Sequence, residues 1–284
     1  MIGAVEGGGS RIRCAVARSD ATPLATASFP TSDPASTLPR IIEFFRAHPV
    51  EALGLAWFGP LDLRAGATAA TPKPGWSDVA LVEPLRRALE VPVVLETDVG
   101  AAAIAEHERG ALRDADPAVY VTVGTGIGAG VLVGGRPVHG LVHPEMGHVL
   151  VPRDGGDTFD GVCPFHGRCL EGLVAAPALR ARHGVEPDAL PDDHPTWARL
   201  ARYLGTALAS VVLVLCPQRI AVGGGLMRRS GLREATARAM RDALGGYLRH
   251  DALTRTPERY LVAPALEEPG LAGALLLARR CLAR

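Results

Sequence analysis

VYVTVGTGIGAGVLV, residues Val119–Val133, is two apolar, β-branched runs around a turn built on Gly124, Gly126 and Gly128. That pattern predicts a β-hairpin. The same plan occurs nearer the start in AVEGGGSRIRCAV, residues Ala4–Val16. Two such segments read as an internal duplication. In the first half, Ala52–Trp57 and Val91–Leu95 read as buried strands, and Thr37–His48 and Val82–Leu89 as helices. In the second half, Thr196–Cys216 is helical, Arg219–Val222 is a strand, and Leu232–Leu244 is a helix. Leu271–Leu282 is a closing helix opened by Pro269-Gly270. Alternating helices and strands define an α/β class. Two lobes that each begin with a glycine hairpin predict a cleft with both turns facing a phosphate.

The chain has 284 residues, enough for one large domain or two modest lobes. Apolar residues are 48% and charged residues 21%, which excludes a disordered chain. Net formal charge is zero, so no basic face for nucleic acid is expected. The opening MIGAVEGGGSRIR lacks a basic segment followed by a long apolar one, so no signal peptide is expected. A long uncharged stretch, from Tyr203 up to Arg219, is interrupted by Pro217 and reads as a buried helix, not a membrane span. Five cysteines without export signals fit reduced thiols and a cytoplasmic location. Basic residues are nearly all arginine, and Lys73 is the one lysine.

Glycine turns expose backbone N–H groups that can cradle phosphate oxygens. The turn at Gly124–Gly130 is not a dinucleotide fingerprint, because its spacing is G-x-G-x-G-x-G and a strand follows it. No Walker lysine follows any glycine run. Gly223-Gly-Gly225 leaves a strand ahead of a helix, where α/β sheets bind ligands. Asp98 follows the strand VPVVLE and precedes the helical run Ala101–Glu106. By itself such an aspartate is a helix cap. As a base it would take the proton of an acceptor hydroxyl during phosphoryl transfer, with Mg²⁺ between the nucleotide phosphates. Cys163-Pro-Phe-His166-Gly-Arg-Cys169 puts three metal ligands on one turn, and His148 can close a tetrahedron. His143 is the alternative fourth ligand. Two thiolates and two imidazoles form a closed, structural zinc set.

These residues resemble the ROK family of sugar kinases and regulators, and within it the bacterial fructokinases. The resemblance runs over nearly the whole chain. Its carriers are Glu6-Gly-Gly-Gly-Ser-Arg11, Gly124-Thr-Gly-Ile-Gly128, Glu145-Met-Gly-His148 and Cys163 through Glu171. Phe58-Gly-Pro-Leu-Asp62, Thr71-Pro-Lys-Pro-Gly-Trp76 and Pro217 through Leu226 carry it too. The resemblance implies an actin-like (ribonuclease H-like), two-lobed α/β kinase fold with duplicated mixed-sheet domains. The lobes are expected at residues 1–115 and 116–269, with the helix at 270–284 packing on the first. It implies ATP-dependent phosphorylation of a hexose, fructose first and mannose or glucose next, by a homodimer. It implies Asp98 as the base. Gly8, Gly9, Ser10, Arg11, Thr125, Gly126, Pro177, Gly223, Gly224, Gly225, Gly270 and Ala274 are implied on the ATP and phosphate side. Glu145, Glu171 and Gly75 are implied on the sugar side, and His148, Cys163, His166 and Cys169 around zinc.

Three departures bear on substrate. The family's Asn after Asp-Val is Gly100 here, Ser10 and Arg11 stand for Thr and Lys, and Glu267-Glu-Pro-Gly270 replaces a more amide-rich loop. They leave room for a sugar-binding protein that has lost catalysis. A DNA-binding regulator is not expected, since the first strand starts at residue 2 with no helix-turn-helix before it.

Overall fold

A computed structural model describes residues 1–18 and 22–283; Arg284, the last residue of the expected terminal-helix segment, lies outside them. The first elements are β1 (Ile2–Gly7), β2 (Arg11–Ala17), β3 (Pro23–Pro30), α1 (Pro34–Ala47), β4 (Ala52–Trp57), β5 (Leu61–Asp62) and β6 (Ala67–Thr68). Next come α2 (Val82–Leu89), β7 (Val93–Thr97), α3 (Asp98–Arg109), β8 (Ala118–Val123), β9 (Ile127–Val133) and β10 (Arg136–Pro137). They are followed by α4 (Leu170–Val174), α5 (Ala176–His183), α6 (Thr196–Leu215), β11 (Arg219–Gly223) and α7 (Leu232–Leu244). The last are α8 (Asp251–Thr254), α9 (Pro257–Tyr260), β12 (Leu261–Val262) and α10 (Pro269–Leu282). Residues 1–109, 136–144 and 266–284 form one compact unit, and residues 110–135 and 145–265 a second.

Each helix and strand expected from the sequence is present, with shifted ends that have local causes. α1 begins at Pro34, not Thr37, because the Asp33 carboxylate accepts the Ser36 N–H at 3.0 Å and proline suits the first turn. α3 begins at Asp98, not Ala101, because Thr97 Oγ1 accepts the Gly100 N–H at 2.9 Å. β3 was not expected. Its sequence, PLATASFP, is an exposed edge strand that buries only Phe29 and so lacks a core-facing run.

The sheet of the first unit has the order β3-β2-β1-β4-β7. β1 to β3 are antiparallel neighbours, while β1, β4 and β7 run parallel. Gly7 pairs with Trp57, and Trp57 with Thr97. The residues that follow, Gly8, Phe58 and Asp98, therefore leave the sheet at one edge. The β4 sequence ALGLAW explains the two faces. Leu53, Leu55 and Trp57 point with period two into a large-residue core with Ile41, Phe45, Trp76 and Leu85. Ala52 and Ala56 face the other way, where Ala274, Leu275 and Ala278 of α10 cover them. That face is narrow because its side chains are small. A Cβ on Gly54 would meet the Ala274 carbonyl oxygen at 1.9 Å, so no side chain fits there.

The strands of the second unit run β9-β8-β11-β12. An antiparallel hairpin is again followed by two parallel strands, β8–β11 and β11–β12. The two units thus repeat one plan, as the paired glycine hairpins led us to expect. α6 is the one helix among the described residues long and apolar enough to cross a membrane by length and composition. Its inner face, including Leu200, Leu204, Leu208 and Val212, is buried within the protein, which is the position of a core helix.

Gly54→Ala should force α10 off β4 and destabilise the protein by about 1–3 kcal/mol, the cost of overpacking a tight core. Thermal denaturation of the variant, with its far-UV circular dichroism unchanged, measures it.

Candidate active site

At the carboxyl edge of the first sheet, Asp98 opens α3 and its Oδ1 accepts the Val99 N–H at 2.9 Å. Asp98 keeps some contact with solvent, yet protein surrounds it closely. That burial, with the Glu6 carboxylate adding repulsion, pushes its pKa up to about 7. Glu6 lies on β1, directly opposite Arg13 on β2 in the ladder. Arg13 Nη1 donates to Glu6 Oε2 at 3.0 Å, and Arg13 Nε lies 3.2 Å from Glu268 Oε1. Burial raises the pKa of Glu6 even against that guanidinium. The turn between these strands holds Gly8, Gly9 and Ser10. The Gly8 N–H closes on the Arg11 carbonyl at 3.0 Å, and Thr31 Oγ1 donates to the Gly8 carbonyl at 2.7 Å. The Arg11 side chain turns to Ser28 Oγ at 3.2 Å, across to β3.

Beside Asp98 lies a polar pair that the sequence does not advertise. Glu96, at the end of β7, is 4% exposed. Its Oε1 accepts the Thr97 N–H at 2.8 Å, and its Oε2 lies 2.8 Å from His139 Nε2. The Glu96 contact raises the pKa of His139. Gly100 is explained here, because a Cβ at that position would sit 2.4 Å from Glu96 Oε1 and 2.7 Å from Thr97 Oγ1. The space an asparagine would need is filled by Glu96.

In the second unit, His148, Cys163, His166 and Cys169 bring one donor atom each within 4.8 Å of one another. Cys163 Sγ is 3.6 Å from His148 Nδ1 and 3.7 Å from His166 Nδ1, and Cys169 Sγ is 3.5 Å from His148 Nδ1. A tetrahedron with metal bonds of roughly 2.0–2.3 Å has edges of roughly 3.3–3.8 Å; these three separations match that range, which makes the set compatible with one zinc-sized cation. Both cysteines are free thiols. His143 is the wrong fourth ligand: its Nε2 accepts the buried Leu61 N–H at 2.9 Å in the first unit, and burial lowers its pKa. The sequence favoured His148 with His143 as the alternative, and the structure gathers His148 with the cysteines while His143 serves Leu61.

Behind the cluster, His148 Nε2 faces Glu171 Oε1 at 3.8 Å. Glu171 Oε2 accepts the Ile127 N–H at 2.8 Å, in the second glycine hairpin. The carboxylate thus joins the cluster to the turn, as groups behind a metal ligand commonly do. Glu145 is exposed one turn before His148, whose N–H its carbonyl accepts at 3.0 Å. A cavity of about 600 Å³ in the same unit is lined by Gly124, Thr125, Ala176, Gly225 and Leu226. The Ala176 N–H donates to the Gly124 carbonyl at 2.8 Å, which seats Pro177 at the start of α5 next to that turn. Gly224 has φ +95°, and a Cβ there would meet Val123 oxygen at 2.4 Å; this is a turn only glycine makes. Gly223 is buried at the end of β11.

Of the implied nucleotide residues, Ala274 faces no open surface. It is fully buried against β4, because α10 needs a small residue there. Gly270 instead clears space for Glu6, whose Oε1 would lie 2.5 Å from a Cβ. Gly75 is exposed with φ +77°.

The family model described as ROK family matches residues 2–281. This chain belongs to the ROK family. Among its relatives, the fructokinase of Zymomonas mobilis is 38% identical over 98% of this chain and 96% of its own. A putative fructokinase of Bacillus subtilis is 37% identical over 99% of this chain and 96% of its own. The crystal structure of a ROK family glucokinase from Streptomyces griseus, in complex with glucose and AMPPNP, superposes with a TM-score of 0.78 at 26% identity. That match covers 98% of this chain and 99% of the glucokinase. The duplicated mixed sheets are therefore the actin-like fold of the ROK kinases.

The loop leading to the cysteines is held by charge. Arg182 grips Asp157 through two bonds, Nη2–Oδ2 being 2.9 Å, and Tyr203 donates to Asp157 at 2.6 Å. Both partners are nearly buried, at 9% and 3% exposure. The Arg182 bond holds the Asp157 pKa far below the usual carboxylate range. A depressed folded-state value contributes stability above the unfolded pKa, which is lost as pH falls below about 4. Arg182→Ala should cost about 3–5 kcal/mol at neutral pH, because it strands a buried carboxylate. Denaturant unfolding at pH 7 and at pH 3 should show the difference between wild type and variant shrink at the lower pH.

Proposed function

We propose that this ROK protein transfers the γ-phosphoryl group of ATP to a hexose, with D-fructose as preferred acceptor and fructose 6-phosphate as product. Asp98 carries the reading. A carboxylate at the carboxyl edge of a parallel sheet, with a pKa raised to about 7, is a general base matched to neutral pH. It accepts the proton of the sugar hydroxyl while that oxygen attacks the γ-phosphorus, and ADP leaves with the electrons of the broken P–O bond. Gly8, Gly9, Ser10 and Arg11 contact phosphate through the first turn, and Thr125 and Gly126 through the second. Gly223, Gly224, Gly225 and Pro177 border the nucleoside. Mg²⁺ bound with ATP supplies charge neutralisation at the phosphates.

Glu145 and Glu171 accept hydrogen bonds from sugar hydroxyls, and Gly75 lines the sugar side. His148, Cys163, His166 and Cys169 would hold one Zn²⁺, whose chemistry in a closed site of four protein ligands is that of a cross-link. The protein acts as a homodimer.

A coupled assay with ATP, Mg²⁺ and a panel of fructose, mannose and glucose tests the activity. Asp98→Asn should lower kcat by about 10²–10⁴-fold, the usual worth of a positioned base. Equal turnover by wild type and variant would remove Asp98 from the role. Hexose binding in calorimetry without any ATP turnover by wild type would make the protein a sugar binder. For pH, the base works only as carboxylate, so wild-type kcat/KM for the hexose should be level above pH 7 and fall about tenfold per unit well below it.

Metal analysis should find about one zinc per chain, abolished by Cys163→Ser. A variant that keeps its zinc would refute that ligand set. Sedimentation equilibrium should give twice the chain mass.

A further inference from the structure

Of the 30 lysine and arginine residues in this chain, one is lysine, Lys73. It is half-buried in the segment between β6 and α2. Its Nζ donates to the Gly9 carbonyl at 2.5 Å, in the middle of the first glycine turn. Among the described residues, no carboxylate pairs with it and Gly9 is its one side-chain hydrogen-bond partner. An ammonium has three N–H donors, so two remain to meet another acceptor.

The backbone that carries Lys73 is fixed. Pro72 and Pro74 flank it, and each has a locked φ. The Lys73 N–H donates to Thr71 Oγ1 at 3.3 Å, and Thr71 Oγ1 donates to the Gly59 carbonyl at 3.2 Å. The Trp76 N–H closes on the Lys73 carbonyl at 3.1 Å. Trp76 is wholly buried, with its ring 5.3 Å from Trp57 and 5.5 Å from Phe58, and its Nε1–H donates to the Ser32 carbonyl at 2.8 Å. The segment is thus rooted in the core, while the lysine side chain alone is free to swing.

The neighbourhood needs such a cation. Arg11, the charge within the turn, is directed to Ser28 on β3. Gly7 and Thr97 are in register two strands apart, so the turn and Asp98 emerge about 10 Å from one another, two strand spacings along the same edge. A compact ammonium also differs from a guanidinium: it is a point charge on a flexible stem, whereas arginine presents a rigid planar fork.

We propose that Lys73 is a phosphate-contacting residue, its ammonium leaving the Gly9 carbonyl to bind a dianionic terminal phosphate group at the β1–β2 turn. The dianion is either the terminal phosphate of ATP or the phosphate of the product sugar. The inference rests on the kinase reading above, and the test separates the two.

Lys73 carries the chain's one side-chain amine, which makes the experiment direct. Wild-type protein is acylated with a limiting amine reagent, and Lys73 occupancy is read by peptide mass spectrometry against the α-amino group. Parallel arms contain ATP with Mg²⁺, AMP, fructose or fructose 6-phosphate. At ten times its dissociation constant, a ligand that covers Lys73 should suppress labelling about tenfold. Suppression by ATP but not AMP identifies the nucleotide's terminal phosphate; suppression by fructose 6-phosphate but not fructose identifies the sugar phosphate. Lys73→Ala should lower kcat by about 10²-fold with an unchanged melting temperature, the loss expected for one charged donor at the transferred group.

A wild type that turns over but gains no protection from either phosphate would overturn the inference and leave the kinase reading intact. Protection without turnover would do the reverse. Absence of both protection and turnover overturns both. A lysine that only braces the loop would show itself by a lowered melting temperature in Lys73→Ala and equal labelling in every arm.

Discussion

The parallel register of β1, β4 and β7 is the constraint from which the first unit's chemistry follows. Once Gly7, Trp57 and Thr97 stand side by side, the glycine turn, the Phe58 loop and Asp98 must leave at one edge. That register is itself set by packing. Small residues on one face of β4 let α10 approach to backbone contact, while Leu53, Leu55 and Trp57 fill the other face. A slip by one residue would exchange the two faces and bury large side chains where α10 has no room. The site is therefore exact because the core is intolerant.

The second unit repeats the strand plan but solves a different problem. Its glycine turns approach each other closely, with a Cβ on Gly124 lying 3.7 Å from the Gly225 nitrogen. Backbone this bare needs outside support. Glu171 provides it by holding the Ile127 N–H with one oxygen and facing His148 with the other. A Cβ on Gly147, one residue before His148, would meet the Ile127 carbonyl at 1.9 Å, so the segment carrying the histidine lies directly on the hairpin. The cysteine–histidine cluster thus braces a turn that has few side chains of its own.

Much of this was legible in the sequence, and the limits have physical reasons. The hairpins could be read because β-branched runs around glycine are local signals, and β4 because its six residues form one short apolar run. β3 could not, since an exposed edge strand needs no apolar pattern. The four metal-type ligands were visible as a set, with His143 as the alternative to His148, and the fold sends His143 to Leu61 and His148 to the cysteines. Glu96 and His139 had no signal at all: they are 43 residues apart and meet only in the folded unit. Gly100 looked like a lost amide; it is the space that Glu96 occupies. Ala274 was assigned to the nucleotide by resemblance, whereas its size serves the contact of α10 with β4.

Asp98 was recognisable as a carboxylate at a strand end, and an ordinary carboxylate pKa would have sufficed for a late proton transfer. Its surroundings do more than that. Burial disfavours its charge, and Glu6 adds to the effect, while Arg13 pairs with both Glu6 and Glu268. A base gains strength as its pKa rises, but the fraction ionised at a given pH falls once the pKa passes that pH. A value of about 7 stands near the balance of the two at neutral pH. The Glu6 carboxylate on β1, two strands away, therefore has a consequence for Asp98 as well as for the turn it precedes. Burial keeps the base strong, and the Glu6 charge adds to it.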